Sequence, residues 1–350
     1  MTIVFGTKPA TEPPAGDGWI WAGDHWVQVI TDTGDGVPAS LSLDTDDRLS
    51  VWLKFDPNQK RDKDGKWTDG PPGSGIGGVS VPTGQGTGPM TDEEFAARTK
   101  LVSESINRVR KTLATDVTHT TPAGAWTPER DAIHREIAND LYARSNHVPN
   151  DGKAVIAGGL GGAGKTTVLT KHAGVDTSQY MTVNPDDIKE ELAARGLMPE
   201  VPGAAGLSPM ERAMLVHEES SRIAHMLADR AYREKRNMIW DITMSSESSV
   251  KSRVAALKKA GYGEISGVFV DIPVETSVER AMARYRHGVD DWRAGKGPGG
   301  RYVPPDIIRA QKTGSGETIN RKVFEEVRKD FTDSVIYDNS RNGEPPRKIG

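Results

Sequence analysis

Residues 153–167, KAVIAGGLGGAGKTT, run from an apolar stretch into a glycine-rich turn that closes on Lys165, Thr166 and Thr167. This segment leaves the chain little choice of local fold. Ala154, Val155, Ile156 and Ala157 want burial as a short strand, Thr167 to Lys171 can continue as a helix, and a tight turn must join the two. Gly159, Gly161, Gly162 and Gly164, with Ala163 among them, let the backbone wrap closely around a phosphate. The turn directs successive N–H groups inward at a helix start, where the helix dipole favours negative charge.

Two glycine patterns overlap here. Gly159 to Thr166 satisfies the P-loop spacing, while Gly159 to Gly164 also fits G-x-G-x-x-G, with Asp186 about twenty residues further on, as a dinucleotide site would require. Lys165-Thr166 decides for the P-loop, because a dinucleotide turn has no use for a lysine and a metal-ligating hydroxyl at that point. Lys165 then reaches the β- and γ-phosphates of ATP and Thr166 ligates Mg²⁺. Gly159, Gly161, Gly162, Ala163, Gly164, Lys165, Thr166 and Thr167 form the nucleotide-binding set.

Composition removes several function classes. The 350 residues carry 45 Lys and Arg against 49 Asp and Glu, a net charge of −4, so no global attraction draws the chain to nucleic acid or an anionic membrane. The absence of cysteine excludes disulfides, thiolate zinc sites and cysteine nucleophiles, and fits a reducing compartment. No apolar run approaches the about eighteen residues of a membrane helix, and the N-terminus lacks a basic region followed by an apolar one. The expectation is a cytoplasmic protein.

The chain reads as five stretches. Residues 1–55 hold Trp19, Trp21, Trp26 and Trp52 in short alternating runs and read as a small β-rich module whose tryptophans supply its core. Residues 56–90 are polar, then rich in glycine and proline, as a flexible linker is. Residues 91–125 hold a helix and connector; Thr91 to Glu94 has capping-box spacing, and Phe95, Leu101, Ile106 and Val109 are its sparse apolar positions through about residue 113. Residues 126–340 begin with a helix capped at Thr127-Pro128, striped by Ile133, Ile137 and Leu141, and then alternate strand and helix. Residues 341–350 form a tail. Alternation of this kind predicts an α/β fold, a mainly parallel sheet flanked by helices, with ligands outside the carboxyl ends of the strands.

Those strand ends carry the acids. Asn184-Pro185-Asp186-Asp187 places two carboxylates beside the phosphate site, one to accept the proton of an attacking hydroxyl and one to cap the following helix. Met238 to Asp241 is an apolar strand ending in an acid that can hold a Mg²⁺-bound water or orient substrate. Arg280, Arg284, Arg286, Arg293 and Arg301 follow around DDWRAGKGPGGRYVPP, a stretch too glycine-rich to be rigid. Arg284 and Arg301 bracket it and are the candidates to close over phosphates, whereas Arg280, Arg286 and Arg293 read as a solvated face.

With GGLGGAGKTT, NPDDIK, the helix through His217-Glu218-Glu219-Ser220-Ser221, NMIWDIT, Arg284-Tyr285 and Arg301-Tyr302-Val303-Pro304 in this order, residues from about 126 to 340 resemble the zeta-toxin family of P-loop kinases. The resemblance implies ATP with Mg²⁺ and phosphorylation of the sugar hydroxyl of UDP-N-acetylglucosamine. It makes Lys165 the phosphate lysine, Asp186 the general base, and Arg284 and Arg301 the clamping arginines. Asp187, Glu218, Glu219, Ser220, Asp241 and Thr243 face the substrate, and Thr166 and Asp241 the metal. It also implies a small helical antitoxin over the nucleotide site, a role that the helix at 91–113 could take in cis.

Two departures bear on the acceptor. Asp241 stands where the family usually has a glutamate, and Met244-Ser245-Ser246 replaces an arginine that contacts substrate. A kinase of a nucleoside, an antibiotic or a dinucleotide on the same scaffold stays open. Separately, FDPNQKRDKDGKW at 55–67 resembles a short segment of tailed-bacteriophage structural proteins, which implies virion components as partners and a nucleotide-binding interaction protein as the reading of another class.

Overall fold

The structure, a computed structural model, describes residues 2–5, 19–21, 26–30, 88–314 and 316–349. The chain divides into two compact units, Met1–Leu43 and Asp44–Gly350. In the first, β1 (Thr2–Phe5), β2 (Trp19–Trp21) and β3 (Trp26–Ile30) form an antiparallel sheet in the order β1-β3-β2. Trp52, nearly all of the linker at 56–90, and the phage-like segment at 55–67 lie outside the described residues.

The second unit opens with helices α1 (Asp92–Val109), α2 (Thr115–Thr118) and α3 (Pro128–Arg144). The alternating part follows as β4 (Lys153–Gly158), α4 (Lys165–Lys171), β5 (Met181–Val183), α5 (Pro185–Ala194), α6 (His217–Glu234), β6 (Met238–Asp241) and α7 (Glu247–Lys259). It ends with β7 (Glu264–Asp271), α8 (Val274–Arg293), α9 (Pro305–Arg309), α10 (Ile319–Val327), β8 (Asp333–Asp338) and β9 (Arg347–Lys348). The sheet order is β5-β6-β4-β7-β8-β9, parallel throughout except for β9, which pairs antiparallel with β8 at one edge. This is the α/β architecture of a P-loop kinase. β4 lies between β6 and β7, so the glycine turn leaves the middle of the sheet.

Strict alternation along the central strands builds two cores. Ala154, Ile156, Met238, Trp240, Ile265 and Phe269 face α3, α5, α6, α7 and α10. Val155, Ala157, Ile239, Val268 and Val270 face Val168, Leu169, Val278 and Ala281 of α4 and α8. A side chain two residues on along a strand returns to the same face, which is why both faces of β4 can be apolar without a break.

The structure divides one sequence-predicted helix and extends another. The long helix expected over about 209–235 is a 3₁₀ segment, Pro209–Val216, followed by α6, because Ser208 and Glu211 close a capping box that starts its own short helix. α8 continues past residue 287 to Arg293, since Val278, Ala281, Tyr285 and Val289 keep one face buried. Arg293 therefore belongs to a helix and pairs with Glu94 at 3.8 Å, instead of riding in a flexible stretch. In α1 the buried positions are Val102, Ile106 and Val109, and Phe95 and Leu101 pack half-buried against the same cluster; Val102 joins the stripe that the sequence led one to expect.

The capping box at Thr91 and Glu94 forms as expected. α1 then packs with Val201, Leu207, Leu215, Tyr285, Val289 and Tyr302 in a third cluster. Fully buried Glu211 fixes it there: its carboxylate accepts from Arg98 Nε and Nη2 at 2.7 Å each, from Tyr285 Oη at 2.7 Å and from the Ser208 amide at 2.6 Å. Arg286, expected on a solvated face, pairs with Asp92 and donates to the Met90 carbonyl. Breaking a buried ion pair by removing one partner is expensive because the other charge stays behind. Glu211→Ala should lower unfolding stability by about 3–5 kcal/mol in urea titration, and Glu93→Ala, on the exposed face of α1, by less than about 0.5 kcal/mol.

Candidate active site

The turn after β4 begins at a position that only glycine can fill. Gly159 has a φ of 137°, and a Cβ there would press on the Val270 carbonyl oxygen of the neighbouring strand. Its amide donates to the Thr243 carbonyl at 3.3 Å, tying the start of the turn to the loop after β6. The amides of Gly162, Gly164, Lys165 and Thr166 find no acceptor among the described residues, and these are the donors a phosphate would use. Lys165 Nζ donates to the Gly159 carbonyl at 3.0 Å and lies 3.3 Å from Asp241 Oδ1. Thr166 and Thr167 are exposed where the turn enters α4.

The acids meet the lysine because three parallel strands end side by side. Asp241 closes β6 next to the turn, and Asn184 Nδ2 donates to its Oδ2 at 3.4 Å from the end of β5. Asn184 also caps α5, accepting from the Asp186 amide at 2.9 Å. The cap is thus the asparagine, which leaves both aspartate side chains for the cleft. Asp186 forms an ion pair with Arg301 and accepts from Lys189 Nζ at 3.1 Å; Lys189 Nζ lies 3.0 Å from His217 Nδ1. Burial pulls the Arg301 guanidinium down to about 10.

Asp187 is exposed at the mouth of the cleft. The protein crowded around its carboxyl, and then the negative charges of Glu190 and Asp241, push it up to about 6. Thr243, which follows Asp241 and Ile242 in the chain, is exposed, and its carbonyl accepts from Asn320 Nδ2 at 2.9 Å. Met244 follows with a φ of 61°, a left-handed backbone unusual for a residue with a side chain. Its thioether fills the space that a Cβ on Gly158 would take, so any larger residue at the end of β4 would have to displace it.

Four expected residues stand apart from this group. Arg284 is exposed on α8 with no hydrogen bond or ion pair to a described residue. Glu218 is half-buried in the first turn of α6, and Ser220 is buried, donating to the His217 carbonyl at 2.7 Å. Glu219, expected to face the substrate, is fully buried, with its oxygens 2.6 and 2.8 Å from Arg130 and 2.8 Å from His134 Nε2. Burial alone would raise its carboxyl; Arg130 and His134 outweigh that and hold it at about 2. This places Glu219 as the joint between α3 and α6.

Sequence reasoning missed Asn184 and Lys189, which touch the aspartates, and His217, which touches Lys189. Lys189 had a signal, since it lies one helical turn from Asp186 in NPDDIK. It also misplaced Arg280, whose guanidinium reaches the glycine turn at the Gly162 carbonyl, 3.3 Å away, and does not sit on a solvated face.

A model of the zeta toxin family matches residues 139–343. No curated protein matches the chain. Among solved structures, the AvrRxo1-ORF1:-ORF2 complex with ATP is similar at 20% identity and a TM-score of 0.48, covering 65% of this chain and 68% of that chain. The PezAT chromosomal toxin-antitoxin system of Streptococcus pneumoniae is similar at 14% identity and a TM-score of 0.43, covering 64% and 81%.

Burial and its acidic neighbours raise the carboxyl of Asp187 to about 6 in the fold from its ordinary 3.8, so the folded state holds its proton more tightly and stability falls as pH rises between those values. Asp187→Asn should flatten that part of the stability–pH curve. Carbon-detected NMR should place the Asp187 midpoint near 6, moving down in Asp241→Asn; an unmoved midpoint would remove Asp241 from its causes.

Proposed function

The chain belongs to the zeta toxin family, whose model spans residues 139–343, and on that premise we propose that it is an ATP- and Mg²⁺-dependent kinase of a small-molecule hydroxyl, with the sugar of UDP-N-acetylglucosamine as acceptor. The observation that carries this reading is the meeting of Lys165, Asp241, Asp186 and Arg301 at the adjoining carboxyl ends of β4, β6 and β5. A nucleotide-binding switch has no need of a carboxylate paired with an arginine beside its phosphate lysine. A phosphoryl-transfer site needs both.

In this reading the amides of the glycine turn and Lys165 hold the β- and γ-phosphates of ATP. The Thr166 hydroxyl and Asp241 are hard oxygen donors and few in number, which suits Mg²⁺, an ion that takes its remaining ligands from phosphate and water. Mg²⁺ supplies charge neutralisation on the phosphates. Asp186 accepts the proton of the acceptor hydroxyl as its oxygen bonds to the γ-phosphorus and the bond to the β–γ bridging oxygen breaks, releasing ADP. Arg301 moves from Asp186 to the γ-phosphate, so the same step frees the base and neutralises the transferring group. Arg284, exposed and unpaired with any described residue, closes from α8.

The acceptor rests on the family alone, and Met244-Ser245-Ser246, where the family has an arginine, favours a second acceptor such as a nucleoside, an antibiotic or a dinucleotide on the same scaffold. A helical antitoxin over the nucleotide site is the partner that the family reading brings with it.

Mass spectrometry of protein incubated with ATP, Mg²⁺ and UDP-N-acetylglucosamine should show a phosphorylated sugar, absent with Lys165→Ala. Turnover of a different hydroxyl compound in its place would replace the acceptor and keep the kinase. No turnover of any acceptor together with tight ATP binding would make the chain a binding protein. Asp186→Asn should cut kcat by about 10²–10⁴ while ATP affinity stays within about twofold, since loss of the base acts on chemistry and not on ground-state binding.

A further inference from the structure

We propose that Arg280 is a positioning residue for the phosphate-binding turn, acting with Ser277 and Asn339 to hold its carbonyls outward and its amides inward. The inference rests on the kinase reading of the same site and adds the parts that shape it. Three consecutive carbonyls of the turn are each taken by a side chain from elsewhere in the fold. Ser277 Oγ, fully buried, donates to the Gly161 carbonyl at 2.6 Å. Arg280 Nη1 donates to that of Gly162 at 3.3 Å, and Asn339 Nδ2 to that of Ala163 at 2.7 Å.

The consequence follows from the geometry of a trans peptide, in which the N–H points opposite to the C=O of the same unit. Turning the Gly161 carbonyl toward Ser277 turns the Gly162 amide inward. Turning the Ala163 carbonyl toward Asn339 does the same for Gly164. Between them, the Gly162 carbonyl held by Arg280 directs the Ala163 amide back onto the Leu160 carbonyl at 3.1 Å, closing the turn on itself. Arg280 approaches closely enough that a Cβ on Gly162, whose φ is 76°, would sit 2.9 Å from its own Cβ.

Arg280 is the centre of this arrangement because its guanidinium also binds the other two elements. Nη2 donates to the Asn339 carbonyl at 3.0 Å and to Asn342 Oδ1 at 2.7 Å, and Nε donates to Asn342 Oδ1 at 3.0 Å. Asn339 is itself fixed, its amide donating to the Asp271 carbonyl at the end of β7 at 3.0 Å. One planar fork thus joins α8, the glycine turn and the segment after β8. A lysine has no fork and could satisfy only part of this set. Ser277, Arg280 and Arg284 also share one face of α8, at i, i+3 and i+7, so the helix that grips the turn carries the exposed clamping arginine one turn further on.

The test uses the full chain and Mg²⁺-ATP, by calorimetric titration and by steady-state kinetics with whichever acceptor is turned over. Arg280→Ala should raise the ATP Kd and the KM for ATP about tenfold, with kcat and the acceptor KM within about twofold of wild type. Its melting temperature without nucleotide should fall by no more than about 2 °C. Arg280→Lys should lie between the two, and Asn339→Ala should repeat the ATP defect from the other side of the turn. Wild-type ATP affinity in Arg280→Ala and Asn339→Ala would overturn the proposal and leave the kinase reading standing. A melting temperature that falls in step with ATP affinity in all three variants would overturn it too, by making the contacts structural. Failure of wild-type protein to bind ATP would take down the kinase reading first and this inference with it.

Discussion

A glycine turn that offers its amides to a ligand must turn its carbonyls away, and in this protein those carbonyls end against protein, where each needs a donor. That requirement organises the site. The Gly159 carbonyl takes Lys165 Nζ, those of Gly161, Gly162 and Ala163 take Ser277, Arg280 and Asn339, and the Thr243 carbonyl receives the Gly159 amide and Asn320 Nδ2 in turn. Apart from Lys165 and the Gly159 amide, the donors come from α8, from α10 and from the segment after β8, elements separated from the turn by more than a hundred residues of chain. The parallel sheet supplies the common frame, since β7 and β8 stand beside β4 and deliver α8 and Asn339 to its carboxyl end.

Two buried glutamates do for the surrounding helices what those donors do for the turn. Glu211 gathers Arg98, Tyr285 and the Ser208 amide, and so fastens α1 to α8; Glu219 gathers Arg130 and His134, and so fastens α3 to α6. Each lies at the start of a helical segment, where negative charge is favoured. Neither has an oxygen to spare for a substrate. The charges that remain in the cleft, on Lys165, Asp186, Asp187, Asp241 and Arg301, are those not consumed in holding helices together.

The parts of this site that depend on neighbouring residues could be read from the sequence, and the parts that depend on distant ones could not. Gly159 to Thr166 is legible because strand, turn and helix start lie within one short segment. Asp186 and Asp241 are legible because an acid after an apolar run marks a strand end. Glu219 misled, because a carboxylate two residues into a helix gives no sign of whether it faces a cleft or an arginine, and Arg130 lies 89 residues away. Arg280 misled for the same reason, its partners being 118 and 62 residues off. Arg293 was misplaced by the glycines after it, although α8, with Val289 buried on its inner face, runs to Arg293 before they begin. The capping boxes at Thr91 and Ser208 are local, yet only the first was noticed; the second would have divided the segment before α6 correctly.

The single face of α8 that bears Ser277, Arg280 and Arg284 also restricts how this gene can change length. One residue inserted between positions 277 and 284 rotates everything beyond it by about 100°, carrying Arg284 away from the turn that Ser277 still holds. Just past the helix the situation reverses. Gly295 and Gly297 have nothing within 4 Å of where a Cβ would stand, so added or lost residues there extend into open space. By Gly299 and Gly300 the chain is packed again, against Ser208 and the Tyr285 carbonyl. Added or lost residues in this chain are therefore accommodated in a window a few residues wide between the helix that grips the donor loop and the arginine that pairs with Asp186.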